Sequence, residues 1–164
     1  MGLGSAGKKL AKAGALVQIL DDGSVQVSVG TTELGQGMMT VLAQITAEEF
    51  GISIDKINVL EIDTTRVPDS GPTVASRATI MSGNSIVDAC KKIKKRLKLF
   101  ACEILKCSIN ELIFRNNLIY SKKDKTKNVS FKELIHKSYL NQINLESEGW
   151  WTEPHTSYDS ETGL

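Results

Sequence analysis

The chain has 164 residues, of which 41% are hydrophobic and 24% are charged, a composition typical of one soluble globular domain that can bury a substantial core. Its 20 basic and 19 acidic side chains give a formal net charge of +1, so overall charge favours neither nucleic acid nor an anionic membrane as a partner. No apolar run has the length of a secretory signal or a membrane span, which predicts a cytoplasmic protein.

The cysteines match no common metal or disulfide pattern. Cys90, Cys102 and Cys107 are odd in number, and they show neither CxxC spacing nor a histidine at zinc spacing. We therefore expect three free thiols and no metal ion held by protein ligands.

Two β-prone runs near the start of the chain predict a hairpin. Residues 15–20 and 24–29 flank the sequence DDG, and the second run alternates valine with polar residues, as a strand with one buried face does. The Asp-Gly pair supplies the positive φ values that tight hairpin turns require. The second strand leads directly into a glycine-rich loop.

The stretch GTTELGQGMMTVLAQITAEEFG begins as this loop and continues as an amphipathic helix. From Gly37 onward apolar residues recur at helical spacing, and Gly51 offers a stop. A strand is predicted over residues 57–63, so the helix becomes a crossover between two strands. Its N-terminal end then lies at the edge of the sheet where ligands usually bind.

A second loop, TTRVPDSGPTVASR over residues 64–77, precedes a long helix at roughly residues 80–105. This helix carries the basic run CKKIKKRLK, which would suit an acidic partner or nucleic acid. The run contains no interleaved aromatic residues, and lysines commonly cover the solvated face of a helix. We therefore favour a solvated face.

The composition changes after Ser108. Strands are predicted around an Asn116-Asn117 turn, followed by a charged loop over residues 122–128 and a helix that begins with the capping pattern SFKE. The prediction is a mixed α+β fold in which residues 1–107 form the α/β core and residues 108–164 form a small α+β annex.

The two loops share a chemistry. Each is rich in small and hydroxyl residues and precedes a helix, so we expect free backbone N–H groups and a positive helix end to face outward, which suits a phosphate or another anion. Gly35 and Gly37 allow close approach of the backbone, and Gln36 can donate and accept hydrogen bonds. The second loop adds the hydroxyl donors Thr73, Ser76 and Thr79.

The loops alone do not name a reaction. A GxG before a helix often serves only its turn, and this one lacks both the GKS or GKT of a phosphate-binding loop and the complete GxGxxG pattern. Glu33 is expected to bind nearby backbone donors rather than act as a base. Arg77 could contact a phosphate or pair with Asp69 or Asp88.

Two long motifs resemble one known family. GTTELGQGMMTVLAQI followed by PDSGPTVASRATIMSGNSIVDAC closely resembles the molybdopterin-binding subunit of the xanthine dehydrogenase and aldehyde oxidase family, the molybdenum hydroxylases. DDGSVQVSVG, SFKELIHKSY and the closing WWTEPHTSYDSETGL are similar to further segments of the same subunit, in the same order. The resemblance covers most of the chain.

The resemblance implies a set of cofactor-binding residues, namely Gly35, Gln36, Gly37, Thr73, Val74, Ala75, Ser76 and Arg77. Gln36 would contact the phosphate-bearing portion of molybdopterin, and the second loop would line the pyrophosphate or dinucleotide side with backbone N–H groups and the Ser76 hydroxyl. Whether the cofactor is the mono form or the cytosine dinucleotide form of molybdopterin stays open. Molybdenum is held by the cofactor in this family, so no protein ligand is expected.

The resemblance also implies a molybdenum-dependent oxidoreductase that hydroxylates a heterocycle or an aldehyde with oxygen from water. Iron–sulfur clusters and FAD would lie on partner chains or domains of an oligomeric enzyme. The family's catalytic glutamate lies downstream of the segment that matches the end of this chain. We therefore expect a piece of a larger subunit that includes no catalytic residue and is inactive alone. The alternatives are a stand-alone anion- or nucleotide-binding module and an interaction domain that uses the lysine-rich helix.

Overall fold

The computed structural model describes residues 12–65, 67–74 and 76–154. Within them, strands and helices form the predicted α+β fold. The strands are β1 (Lys12–Ile19), β2 (Val25–Val29), β3 (Ile57–Val59), β4 (Leu112–Arg115), β5 (Leu118–Ser121), β6 (Asn128–Ser130) and β7 (Glu146–Thr152). The α-helices are α1 (Met38–Phe50), α2 (Gly83–Leu105) and α3 (Phe131–Leu140).

Strands β1 and β2 form the predicted antiparallel hairpin, with Ile19 opposite Val25. The Gly23 N–H donates to the Leu20 carbonyl at 2.9 Å, and only Gly23 of the Asp-Gly pair has a positive φ, at 85°. Asp22 instead accepts a hydrogen bond from the backbone N–H of Ser24. The hairpin is therefore confirmed, while the turn is the three-residue type in which one glycine is left-handed.

Helix α1 is the predicted crossover, because β2 and β3 on either side of it are parallel neighbours. It ends at Gly51, which adopts a φ of 66° as its cap. Strand β3 is shorter than the predicted residues 57–63. Its last bond to β2 is that from the Leu60 N–H to the Val27 carbonyl at 2.9 Å.

The main sheet has the order β3-β2-β1-β7. Strand β7 pairs antiparallel with β1 along its whole length, from Lys12 opposite Thr152 to Gln18 opposite Glu146. The sheet of the first predicted unit therefore includes a strand from residues 108–164. Both long helices pack on this sheet, and the largest fully buried side chains of this layer are Val17, Val25, Val27, Val29, Leu42, Phe50, Ile86, Ile93 and Leu97.

The annex is a three-stranded antiparallel sheet, β4-β5-β6, followed by α3. Asn116 and Asn117 form the predicted turn, with φ values of 53° and 61°. Ser130 caps α3 by accepting a hydrogen bond from the Glu133 N–H at 3.2 Å, as the SFKE pattern predicts. The annex joins the core where the Asn117 N–H donates to the Gly51 carbonyl at 2.9 Å.

The basic run on α2 includes residues that attach the helix to its neighbours. Lys92 lies 2.7 Å from Asp88 and donates to the Glu148 carbonyl, and Arg96 donates to the carbonyl of Glu146 in the same strand. These side chains anchor β7 to α2. The contacts favour the structural interpretation of this run over a nucleic-acid surface.

The described residues include neither a membrane-spanning helix nor a cluster of metal-binding side chains. No helix among the described residues is both long and apolar enough to cross a membrane. The three cysteines are free thiols. In the same part of the chain, His, Cys, Asp and Glu side chains form no group of three or more that could hold a metal ion.

Gly149 allows β7 to contact α2 directly. A Cβ atom at this position would lie 1.8 Å from the Ser85 carbonyl oxygen and 2.7 Å from the Ala89 nitrogen, both in the helix backbone. Because backbone cannot move aside as a flexible side chain can, we expect Gly149→Ala to lower the free energy of unfolding by about 2 kcal/mol or more. Urea unfolding monitored by circular dichroism measures this.

The matched control is Glu148→Ala, which changes an exposed side chain on the same strand. We expect it to alter the free energy of unfolding by less than about 0.5 kcal/mol. Equal stability of the Gly149→Ala protein and the wild type would contradict the close contact between β7 and α2.

Candidate functional site

The two small-residue loops lie side by side at one edge of the main sheet. The first loop comprises residues 30–37, and the second comprises the described part of residues 64–77. The Thr32 N–H donates to Thr73 Oγ1 at 2.8 Å, and the Gly30 N–H donates to Ser70 Oγ at 3.1 Å. A Cβ on Gly30 would lie 2.7 Å from the Pro68 carbonyl oxygen. The two loops are therefore in direct contact.

Ser70 holds the second loop against both central strands. Its hydroxyl accepts from the Gly30 N–H and donates to the Gly14 carbonyl at 3.2 Å, and the residue is buried. The Gly14 N–H in turn donates to the Asp69 carbonyl at 3.0 Å. A single hydroxyl thus provides hydrogen-bond partners for the Gly14 carbonyl in β1 and for the Gly30 N–H just after β2.

Arg77 braces the second loop from inside. Its side chain is buried, with Nε donating to the Pro72 carbonyl at 3.1 Å and Nη2 donating to the carbonyls of Ser70 and Lys12 at 2.9 and 3.2 Å. The sequence analysis considered a phosphate contact and an ion pair with Asp69 or Asp88, and it did not anticipate these bonds to backbone carbonyls. A contact between Arg77 and a cofactor phosphate stays a prediction.

Glu33 organises the first loop. One carboxylate oxygen accepts from the N–H groups of Gly35 and Gly37 at 2.9 and 3.0 Å, and the other accepts from the Met39 N–H at 3.1 Å. These hydrogen bonds, to which Met39 contributes most, lower the pKa of Glu33 below its usual value. The expected role of Glu33 is confirmed. The expectation that the amides of Gly35 and Gly37 are free is wrong, because an internal carboxylate already binds them.

Gln36 is exposed and folded over its own loop. Its Nε2 donates to the Thr32 carbonyl at 3.1 Å, and its Oε1 accepts from the Leu34 N–H. The glycines on either side have φ values of 91° and 76°, and nothing lies within 4 Å of a Cβ placed on either one. Gly35 and Gly37 are therefore required by the backbone conformation, and the space in front of them is open.

The second loop leads into a helix whose start is joined to the first loop. Residues Ala78–Ser82 form a π-helical turn that continues into α2, and the Ser82 hydroxyl hydrogen-bonds to Thr31 in a buried contact. Ser76 is exposed and Val74 is 47% exposed, so both present side chains to solvent. Ala75, also predicted to bind the cofactor, lies outside the described residues.

Both helix starts therefore lie next to the paired loops. Helix α1 begins after Gly37 and the helix that becomes α2 begins after Arg77. The backbone N–H groups of a first helical turn have no partner within the helix and carry partial positive charge. The open faces of the loops form a surface suited to a ligand with several hydrogen-bonding groups and a negative portion.

Sequence reasoning did not identify Ser70, Thr31 or Ser82 as residues that join the loops. Each is a small hydroxyl residue in a polar stretch, where exposed and buried serines look alike. The prolines and the glycine within PDSGP indicated a loop. The contact of that loop with β1 could not be read from them, because Ser70 bonds to Gly14, 56 residues away in the chain.

The chain matches one family over its whole length. A family model described as the molybdopterin cofactor-binding domain matches residues 1–164. Xanthine dehydrogenase of Oryza sativa subsp. japonica is 33% identical over 162 residues, which are 99% of this chain and 10% of that protein. Xanthine dehydrogenase/oxidase of Felis catus is 32% identical over 153 residues, 93% of this chain and 10% of that protein. The chain spans about a tenth of the length of the curated relatives it matches.

Solved structures have the same fold. Reconstituted CO dehydrogenase from Oligotropha carboxidovorans superposes with a TM-score of 0.78 at 31% identity, over 87% of this chain and 18% of that one. Quinoline 2-oxidoreductase from Pseudomonas putida 86 gives a TM-score of 0.81 at 23% identity, over 86% of this chain and 19% of that one, a likeness of fold alone. These matches do not favour a stand-alone anion- or nucleotide-binding module.

Removal of the Glu33 carboxylate should loosen the first loop. In Glu33→Ala the N–H groups of Gly35, Gly37 and Met39 lose their acceptor, so we expect their hydrogen exchange to accelerate about tenfold. Amide exchange followed by NMR at neutral pH measures this. Glu48→Ala, an exposed glutamate on α1, is the control and should leave these amides unchanged. Unchanged exchange in Glu33→Ala would contradict the role of the carboxylate.

The same contacts predict a pH dependence. The folded-state pKa of Glu33 is lowered from 4.5, so its hydrogen bonds are complete above pH 4.5 and are lost as the pH falls through the lowered value. We expect the amide chemical shifts of Gly35 and Gly37 to titrate with a midpoint below 4.5, and the Glu33→Gln protein to lack this titration. A midpoint at or above 4.5 would show that the carboxylate is not stabilised by the loop.

Proposed function

We propose that this chain, which belongs to the molybdopterin cofactor-binding domain family, binds its cofactor through the open faces of the two loops. The observation that supports this proposal most directly is the hydrogen bond between the Thr32 N–H and Thr73 Oγ1, which joins the two loops beside the starts of α1 and α2. One ligand can therefore contact both loops at once.

The residues present fit such a ligand. The space in front of Gly35 and Gly37 is open, and the polar side chains of Thr32 and Gln36 in the same loop are exposed. The two loops differ in charge, because the Glu33 carboxylate already accepts the hydrogen bonds of the Gly35 and Gly37 N–H groups in the first loop. A second anion placed on those amides would be repelled. We therefore assign the negative portion of the cofactor to the second loop and the start of α2.

Individual side chains have distinct parts in this proposal. Gln36 exchanges its hydrogen bonds to Thr32 and Leu34 for hydrogen bonds to the cofactor, since its amide can both donate and accept. The exposed Ser76 hydroxyl donates to a phosphate oxygen. Val74 provides apolar contact that excludes water. Arg77 stabilises the conformation of the second loop through its hydrogen bonds to the Pro72 and Ser70 carbonyls.

The domain would act within a larger oxidoreductase of the xanthine dehydrogenase type. When bound, the molybdenum cofactor supplies the oxidative hydroxylation of a heterocycle or an aldehyde. This chain binds and orients the cofactor, while the rest of the molybdopterin subunit and iron–sulfur and FAD carriers complete the enzyme. The support is that the matched xanthine dehydrogenases are about ten times as long as the matched segment. The free thiols are consistent with a cytoplasmic location.

Cofactor binding by the chain can be measured directly. We expect molybdopterin released from a loaded molybdenum enzyme under anaerobic conditions to bind the purified chain in a fluorescence titration. Gln36→Ala should weaken binding about tenfold, because about 1.4 kcal/mol of hydrogen bonding to the cofactor is lost. The matched control is Gln44→Ala, which removes the same side chain from an exposed position on α1.

Two outcomes would count against the proposal. Equal affinities of the Gln36→Ala and Gln44→Ala proteins would remove Gln36 from the site, provided that amide exchange at Gly35 shows the loop intact in both. Equal competition by ATP or pyrophosphate would favour a general anion- or nucleotide-binding module, because such a module does not recognise the pterin.

A further inference from the structure

The end of α2 brings two cysteines together. The helix ends at Leu105, and Lys106 then adopts the left-handed conformation with φ 50° and ψ 55°. The N–H groups of Lys106 and Cys107 both point back to the Cys102 carbonyl, with Cys107 N at 3.4 Å from this oxygen. In this type of cap the residue after the left-handed position folds over the last helical turn.

The two cysteines are joined through the main chain by the hydrogen bond from the Cys107 N–H to the Cys102 carbonyl. Burial, together with the nearby Cys107, raises the pKa of Cys102. Both residues are partly exposed, and both line one open cleft of about 560 Å³. The backbone hydrogen bond holds the two residues close together at the end of the helix, and closeness is what a disulfide requires, since it spans Cα atoms roughly 4.4–6.8 Å apart.

The cleft has a small positive excess. Lys106, Lys123 and Lys127 line it, together with Glu111 and Asp124. Lys123 and Glu111 are paired at 2.7 Å and cancel each other, which leaves two lysines facing one aspartate. Such a cleft attracts a small anionic reagent. The remaining thiol, Cys90, differs because it is fully buried and burial raises its pKa.

We propose that Cys102 and Cys107 form a modification site at which an anionic low-molecular-weight disulfide, such as glutathione disulfide, converts the two thiols into an intramolecular disulfide. One protein thiolate attacks the reagent and releases one glutathione, and the second thiolate attacks the mixed disulfide and releases the other. Two electrons pass from the protein to the reagent, and the two thiol protons end on the two glutathione molecules. The product ties the end of α2 to the start of the annex.

The experiment uses the reduced 164-residue chain and glutathione disulfide at mildly alkaline pH, followed by acid quenching. We expect an intact mass lower by two hydrogens and a fall from three titratable thiols to one in denaturant. Trypsin cleaves after Lys98, Lys106 and Arg115, so a non-reducing digest should show residues 99–106 linked to residues 107–115. This linked pair identifies the bond.

Matched variants distinguish the pair from general thiol reactivity. Cys90→Ser should form the same disulfide as the wild type, whereas Cys102→Ser and Cys107→Ser should each stop at a lasting mixed disulfide with glutathione. The proposal is overturned if the wild type also stops at a mixed disulfide, if Cys90 is part of the cross-link, if the bond joins two chains, or if all three thiols persist.

Discussion

The buried hydroxyl of Ser70 is the contact on which the arrangement of the loops depends. It accepts a hydrogen bond from Gly30 at the end of β2 and donates one to Gly14 in β1. A loop laid over the edge of a sheet must satisfy the polar groups that it covers, because each unpaired buried group costs roughly 1–3 kcal/mol. Ser70 does this for two strands, and Arg77 does it for the carbonyls of the loop itself. The second loop therefore has a fixed position beside the first.

The first loop illustrates how a negative side chain can prepare a site for an anionic ligand. Glu33 gathers three backbone N–H groups and so fixes a turn with two left-handed glycines. Without that carboxylate, the same amides would compete for a phosphate. With it, the first loop offers the Gln36 side chain and open space, and the start of α2 provides the positive end. The two loops look alike in composition but differ in electrostatics.

Local signals in the sequence predicted most of the fold. The hairpin, the α1 crossover with its Gly51 cap, the Asn116-Asn117 turn and the Ser130 cap each depend on residues within a few positions of one another. The features that sequence reasoning missed depend on distant partners. Strand β7 carries no alternating pattern, and it is a strand because β1 offers a free edge and α2 a backbone surface for Gly149.

The candidate site divides in the same way. The two sequence motifs identified both loops. The loops are close together because both lie at the same edge of the main sheet. Which amides are already bound could not be predicted, because it depends on the rotamer of Glu33. The burial of Arg77 depends likewise on carbonyls supplied by Lys12 and Ser70. The contacts of the eight predicted cofactor residues with molybdopterin stay predictions.

The pairing of β1 with β7 joins residues 12–18 to residues 146–152, almost the full length of the chain apart. During synthesis the hairpin and both long helices leave the ribosome well before the strand that completes their sheet. Until then one edge of β1 has unpaired backbone groups and can associate with strands of other molecules. The nascent chain therefore has an exposed strand edge at β1 until residues 146–152 have been made.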